Sequence, residues 1–150
     1  MYCVIKTLIG NLKIEEETGF ITGIRFTNEA ACSSSSKVLK TAAMQLNEYF
    51  SKQRKTFDLP LKFYGTDFQK KVWNALLEIP YGTVRSYKEI AISIGNEKAV
   101  RAAGMANSKN PIMIVVPCHR VIGSNGTMTG YAYGINIKKK LLALEGIIKR

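Results

Sequence analysis

The chain reads as α+β: a small N-terminal antiparallel sheet with one helix, then a helical segment holding a helix-turn-helix candidate. Three observations predict this. The first sixty residues hold three short β-compatible runs separated by turn pairs. The next ninety open on two capping-box patterns, each ahead of apolar residues at helical spacing. The charge divides the same way: residues 1–60 carry eight basic and six acidic groups, residues 61–150 fourteen and five. A length of 150 residues, 46% hydrophobic composition and a mean hydropathy of −0.04 give enough apolar material for a real core and exclude disordered and collagen-like classes. No stretch is long and apolar enough to span a membrane, and no leader pattern opens the chain.

Met1–Leu8, Leu12–Glu17 and Phe20–Phe26 are the expected strands, with turns at Gly10-Asn11 and Thr18-Gly19. Ser33–Ser36 is a polar break. Val38, Ala42, Leu46, Tyr49 and Phe50 then follow at helical spacing, which predicts an amphipathic helix over Lys37–Ser51. The polar, basic stretch after it reads as a connection, so the expected organisation is a scaffold domain at 1–55, a linker at 56–64 and a second domain at 65–150.

In the second segment Thr66 and Gln69 stand at capping-box spacing before Phe68, Val72, Leu76 and Ile79, and Pro80 with Tyr81-Gly82 stops that helix. Ser86 and Glu89 form a second box, opening a short helix that ends at Gly95. Asn96 is the expected cap of another helix, from Glu97 to about Asn107. Two short helices across a Gly-Asn corner make a helix-turn-helix candidate, and the basic surround with Arg101 directs it towards a polyanion such as DNA. After Asn110-Pro111, the run Ile112–Val116 reads as a buried strand leading into Pro117-Cys118-His119-Arg120. Asn136 is the expected cap of a last helix carrying Ile137, Leu141 and Leu144, with Gly146 as its stop.

The chemistry gathers at Cys118-His119, where the single histidine adjoins a cysteine. A thiol becomes nucleophilic as thiolate, which a nearby imidazole or cation favours. Neighbours on a strand point to opposite faces, so a direct contact needs a turn or a bridging water. Taken alone, such a pair is more often an inert buried thiol beside a structural histidine. The three cysteines form no C-x-x-C pair, and no ligand cluster for zinc is evident.

The surrounding string decides more. Asn110-Pro111, five residues, then Pro117-Cys118-His119-Arg120-Val121 resembles the active-site signature of the O6-alkylguanine-DNA alkyltransferases, the methylated-DNA–protein-cysteine methyltransferases. The resemblance runs from about Gly65 to Gly146. It takes in Tyr81-Gly82, Ser86-Tyr87, Arg101-Ala102-Ala103-Gly104, Gly130-Tyr131 and Leu141-Leu142-x-x-Glu145-Gly146. It implies a ribonuclease-H-like first domain and a winged helix-turn-helix second domain. It also implies that Cys118 accepts an alkyl group from guanine O6, once per molecule, while His119 takes the thiol proton through water and Glu145 orients His119. Asn110 would hold the turn around Cys118, and Tyr87 would turn the nucleotide and protonate or hydrogen-bond the leaving guanine. Arg101 would fill the space left by the flipped base, with Ala99, Ala102 and Ala103 allowing close approach to the minor groove. Cys118, Val121, Tyr131 and Ala132 would form the guanine pocket, beside Tyr133. Two positions depart from the family's pattern: Ala132 stands where serine is frequent, and Tyr133 where some members have glycine, which narrows the expected pocket.

The resulting expectation is a cytoplasmic monomer that repairs O6-methylguanine in double-stranded DNA without cofactor or metal. Two other readings bear on the same residues. A winged helix-turn-helix that only binds DNA or a lesion explains the charge but leaves the arrangement of Asn110, Cys118, His119 and Glu145 as coincidence. A Cys-His hydrolase would turn over repeatedly, and nothing else in the chain points to it.

Overall fold

The computed structural model describes residues 1–128 and 131–148. It divides into two compact units: Met1–Tyr64 with Pro111–Met113, and Gly65–Asn110 with Ile114 to the C-terminus.

The first unit is an antiparallel meander of β1 (Tyr2–Thr7), β2 (Gly10–Glu17) and β3 (Phe20–Phe26), packed by α1 (Lys37–Phe50). Alternation places Leu12 and Ile14 of β2 and Ile24 of β3 on the covered side, all fully buried. The first turn falls at Leu8-Ile9, not at Gly10-Asn11, because Gly10 and Asn11 already pair with Thr7 and Lys6. Thr7 Oγ1 closes this turn, donating to the Gly10 carbonyl at 2.6 Å and accepting from the Ile9 amide at 3.1 Å. The second turn uses Thr18 and Gly19, both at positive φ, the pattern that matches the twist of a tight hairpin. Ser36 caps α1 through the Leu39 amide, and the helix buries Leu39, Ala42, Leu46, Tyr49 and Phe50.

Residues 56–64, expected as a linker, are bonded into this unit. The Ile21 amide donates to the Pro60 carbonyl at 2.8 Å, and the Lys62 amide to that of Ile21 at 3.0 Å. Gln45 exchanges two bonds with the backbone of Asp58. Ile112 also lies beside Ile24 as an isolated parallel bridge.

The second unit begins with α2 (Asp67–Leu77) and α3 (Tyr87–Ser93), and both expected capping boxes are formed, at Thr66/Gln69 and Ser86/Glu89. Next comes α4 (Val100–Ser108). It starts three residues later than expected: Ala99 is its cap, and Asn96 instead accepts the Ala99 amide through its carbonyl, closing a turn. The indole of Trp73 in α2 donates to the Ala106 carbonyl at 2.8 Å, adding a second bond to a carbonyl that already accepts the Lys109 amide at the end of α4. A parallel pair, β4 (Arg85–Ser86) with β5 (Val121–Ile122), and α5 (Ile135–Leu144) complete it. Gly134, not Asn136, is the cap of α5, so Asn136 lies inside the first turn. Gly146 follows at φ 80°, the left-handed stop expected of glycine. Among the described residues no helix is long and apolar enough to cross a membrane.

The run 112–116 is buried but is not a strand. Its extended course ends at Ile114, whose φ is 73°. A β-branched residue in the left-handed region is strained by about 1–3 kcal/mol, so the surroundings must hold it there.

Candidate active site

Cys118, His119 and Arg120 form a single 3-10 turn, with all three side chains buried. This replaces the strand geometry expected at the Cys-His pair. The Cys118 amide donates to the Val116 carbonyl at 2.8 Å, and the Val121 amide to the Cys118 carbonyl.

Glu145 is the hub. It caps the C-terminal end of α5, where the helix dipole disfavours an acid by about 0.3–1 kcal/mol. Four donors meet its two oxygens. Arg120 Nε lies 2.8 Å from Oε1 and Nη2 3.1 Å from Oε2. The Gly82 amide lies 3.1 Å from Oε1, and His119 Nε2 2.6 Å from Oε2. Arg120 is anchored in turn by Nη1 donating to the Ile79 carbonyl at 2.7 Å. Burial alone would raise the Glu145 pKa, but the His119 and Arg120 bonds together outweigh it and hold the carboxyl at about 2.

An ionised carboxylate only accepts, so His119 Nε2 carries the ring proton and Nδ1 presents its lone pair. That Nδ1 is buried and has no hydrogen-bond partner among the described residues. Burial lowers the His119 pKa, against the pull of Glu145, so the ring rests neutral. It is a base with its proton-accepting atom unspent.

The Cys118 thiol is pushed up to about 11 by burial, against a hydrogen bond from the Asn110 side chain and the charge of Lys138. Burial therefore keeps the thiol protonated at neutral pH. Asn110 is buried and also donates through Nδ2 to the Val116 carbonyl at 2.7 Å. It thus grips both the approach to Cys118 and its sulfur.

Tyr87 opens α3 half-buried, its ring against Gly104, where an added Cβ would stand 3.6 Å from the ring. Burial, then the nearness of Cys118, raises its phenol pKa. Tyr131 is buried, and its hydroxyl has no hydrogen-bond partner among the described residues. Its ring meets that of Tyr133 edge-on, with centroids 5.6 Å apart. Val121 is buried, Ala132 is exposed, and Gly130 lies outside the described residues. On α4, Arg101 and Ala102 are exposed and Ala99 is half-buried, whereas Ala103 faces the interior of the unit.

Three residues at this site carried no role in the sequence reading. Arg120 was part of the motif, but its partner Glu145 is twenty-five residues away in sequence. Lys138 is fully buried, its ammonium donating to the Val121 carbonyl and standing 5.9 Å from the Tyr87 ring centroid. Burial lowers its pKa to about 8, with Cys118 pulling the other way. Helical spacing held the signal: positions 138, 141, 142 and 145 share the buried face of α5. The third is Asn107, whose Nδ2 lies 3.4 Å from the Cys118 carbonyl. No group of three or more metal-ligating side chains gathers among the described residues.

Known proteins match along nearly the whole chain. Residues 1–63 match the family description "6-O-methylguanine DNA methyltransferase, ribonuclease-like domain", and residues 67–147 match "6-O-methylguanine DNA methyltransferase, DNA binding domain". A methylated-DNA–protein-cysteine methyltransferase of Methanosarcina barkeri is 53% identical over 139 residues, covering 92% of this chain and 88% of that protein. The constitutive enzyme of that name from Bacillus subtilis is 46% identical over 157 aligned positions, covering 97% and 95%. Among solved structures, Mycobacterium tuberculosis OGT in complex with DNA superposes with a TM-score of 0.87 at 45% identity, covering 96% of this chain and 91% of that one. The chain, with its ribonuclease-like and DNA-binding domains and the buried Cys-His-Glu constellation of the second, therefore belongs to the methylated-DNA–protein-cysteine methyltransferase family.

Proposed function

We propose that this protein reverses O6-alkylguanine damage, chiefly O6-methylguanine, in double-stranded DNA by moving the alkyl group onto Cys118. The observation that carries the reading is the neutral His119, held by Glu145 and Arg120, with Nδ1 unpartnered beside a buried thiol. In the proposed step His119 Nδ1 takes the Cys118 proton through a bridging water. The sulfur attacks the alkyl carbon, an S–C bond forms, and the O6–C bond breaks with its electron pair left on guanine. The Tyr87 hydroxyl gives its proton to the leaving base and regains one from the His119 imidazolium through water, so the base ends protonated, both side chains return to neutral and the protein keeps a thioether. Glu145 and Arg120 hold the ring through this change of charge. A thioether has no ready route back to thiol, so each molecule acts once.

A target oxygen within a base stack is beyond reach of a buried thiol, so the nucleotide must turn out of the duplex at a cost of a few kcal/mol. Exposed Arg101 on α4 is suited to occupy the vacated space, with Ala102 and half-buried Ala99 allowing close approach. The net of nine positive charges over residues 61–150 supports phosphate binding there. Tyr131, Ala132 and Val121 are the proposed guanine pocket, and Tyr133 narrows it for large alkyl groups. The reading carries with it a cytoplasmic monomer in which the first unit serves as scaffold. A protein that only bound the lesion would have no use for the unspent Nδ1 next to a cysteine.

Incubation with a duplex carrying one O6-methylguanine tests this. The peptide containing Cys118 should gain about 14 Da, one methylene equivalent, at one methyl per protein, and Cys118→Ser should gain nothing. Methyl found on another residue, or repeated turnover, would overturn the assignment.

A further inference from the structure

We propose that Asn107 is a positioning residue for alkyl transfer: from the last turn of α4 its amide holds the Cys118 carbonyl and so fixes the peptide plane that aims Cys118 and His119. The inference rests on Cys118 being the alkyl acceptor. A peptide plane is set by what binds its carbonyl. Here the Cys118 carbonyl accepts the Val121 amide within the 3-10 turn and the Asn107 Nδ2 from outside it, at 3.4 Å. Rotation of that plane would change the Cys118 ψ and the His119 φ together, moving the thiol and the imidazole relative to each other.

Asn107 is itself firmly placed. It is 2% exposed, and the residue before it is tied to α2 by the Trp73 indole. Its Oδ1 is buried without a hydrogen-bond partner among the described residues. An apolar side chain of the same size would avoid that unsatisfied acceptor, so packing alone does not account for an amide here. Asn110 secures the sulfur side of the same segment, donating to the Val116 carbonyl and bonding the thiol. Two amides thus hold the nucleophile, Asn110 by its sulfur and Asn107 by its carbonyl. Asn107 also lies on the helix whose exposed face presents Arg101, so one rigid helix of nine residues carries both the proposed DNA-facing residue and the grip on the reactive turn.

Single-turnover chemistry gives a clean test, because the end point counts competent molecules while the time course reports reactivity. Asn107→Leu and Asn107→Asp are compared with wild type on duplex O6-methylguanine at saturating DNA. The expected result is a wild-type end point of about one methyl per protein molecule, duplex affinity within about twofold, and a first-order transfer rate about tenfold lower in both variants. In Asn107→Asp the added charge should also move the pH profile of Cys118 alkylation by iodoacetamide to higher pH. A merely structural role would lower the end point and leave the rate per competent molecule and the profile unchanged, which would overturn the inference. If wild type itself methylates no Cys118, the acceptor assignment fails; if wild type reacts and Asn107→Leu keeps its rate, only the Asn107 role fails.

Discussion

The two units bury different chemistry. Among the described residues, the first unit encloses one polar side chain, Gln45, and both ends of its amide are matched by the Asp58 backbone. Its ion pairs among the described residues, Lys13–Glu29, Arg25–Glu15 and Arg54–Glu48, are all partly or well exposed to solvent. The second unit encloses Asn107, Asn110, His119, Arg120, Lys138 and Glu145. Buried charges are expensive to desolvate, and apolar replacements of similar volume are often as stable or more so. A unit that keeps six buried polar groups around one thiol, with Arg120, Lys138 and Glu145 charged among them, is organised for reaction at some expense of stability. The first unit, with an ordinary apolar core, has the composition of a support.

Removing the hub should break this contrast most severely. Glu145→Gln leaves Arg120 buried without its counterion, a loss of about 3–5 kcal/mol in denaturant unfolding. The acid limb of the stability curve should change with it. The carboxyl is held at about 2 when folded, against 4.5 ordinarily, so its contribution is complete above 4.5 and is lost as pH falls towards 2. The variant should lack that slope, and an unaltered slope would show that the carboxylate is not the charge being stabilised.

Leu46→Ala probes the supporting unit. Leu46 is fully buried in α1, and the truncation should cost about 2–5 kcal/mol. Transfer per competent molecule should stay at the wild-type rate. A slower rate at full occupancy would assign the first unit a part in the chemistry.

Arg101→Ala acts on the surface of the reactive unit, so stability should move by no more than about 0.5 kcal/mol. Repair of duplex DNA should slow about ten- to hundredfold, the scale of a lost contribution to base extrusion, while reaction with a free O6-alkylguanine should hardly change. Equal losses on both substrates would remove Arg101 from that step. The smallest effect is expected from Tyr133→Gly, a few-fold gain with benzylated over methylated guanine as the pocket widens. Rates with the two substrates that are already equal in wild type would dispose of the narrowing role.

Local order was legible along the chain because its causes are local. Turn residues, alternation and capping boxes placed the three strands, α1, α2 and α3 to within a residue or two. The string from Asn110 to Val121, with Glu145-Gly146, singled out Cys118, His119 and Glu145, and the fold brings the last two into hydrogen-bond contact. The misplacements arose where tertiary contact overrides pattern. Ile112–Val116 has strand composition, yet Ile114 is held at positive φ. Asn96 and Asn136 have capping chemistry, but those helices begin at other residues.

What the sequence determined by itself was the strand-then-helix order of the first unit, the split in charge and the capped starts of α2 and α3, since each depends on spacing or on a residue's own chemistry. What only the tertiary structure decided was the electrostatic state of the site. Arg120 meets Glu145 across twenty-five residues, Lys138 turns inward to the Val121 carbonyl, and Asn107 reaches the Cys118 carbonyl from α4. Burial then sets which protons stay and which can move, and burial is a property of what packs around a group, which no stretch of sequence carries alone.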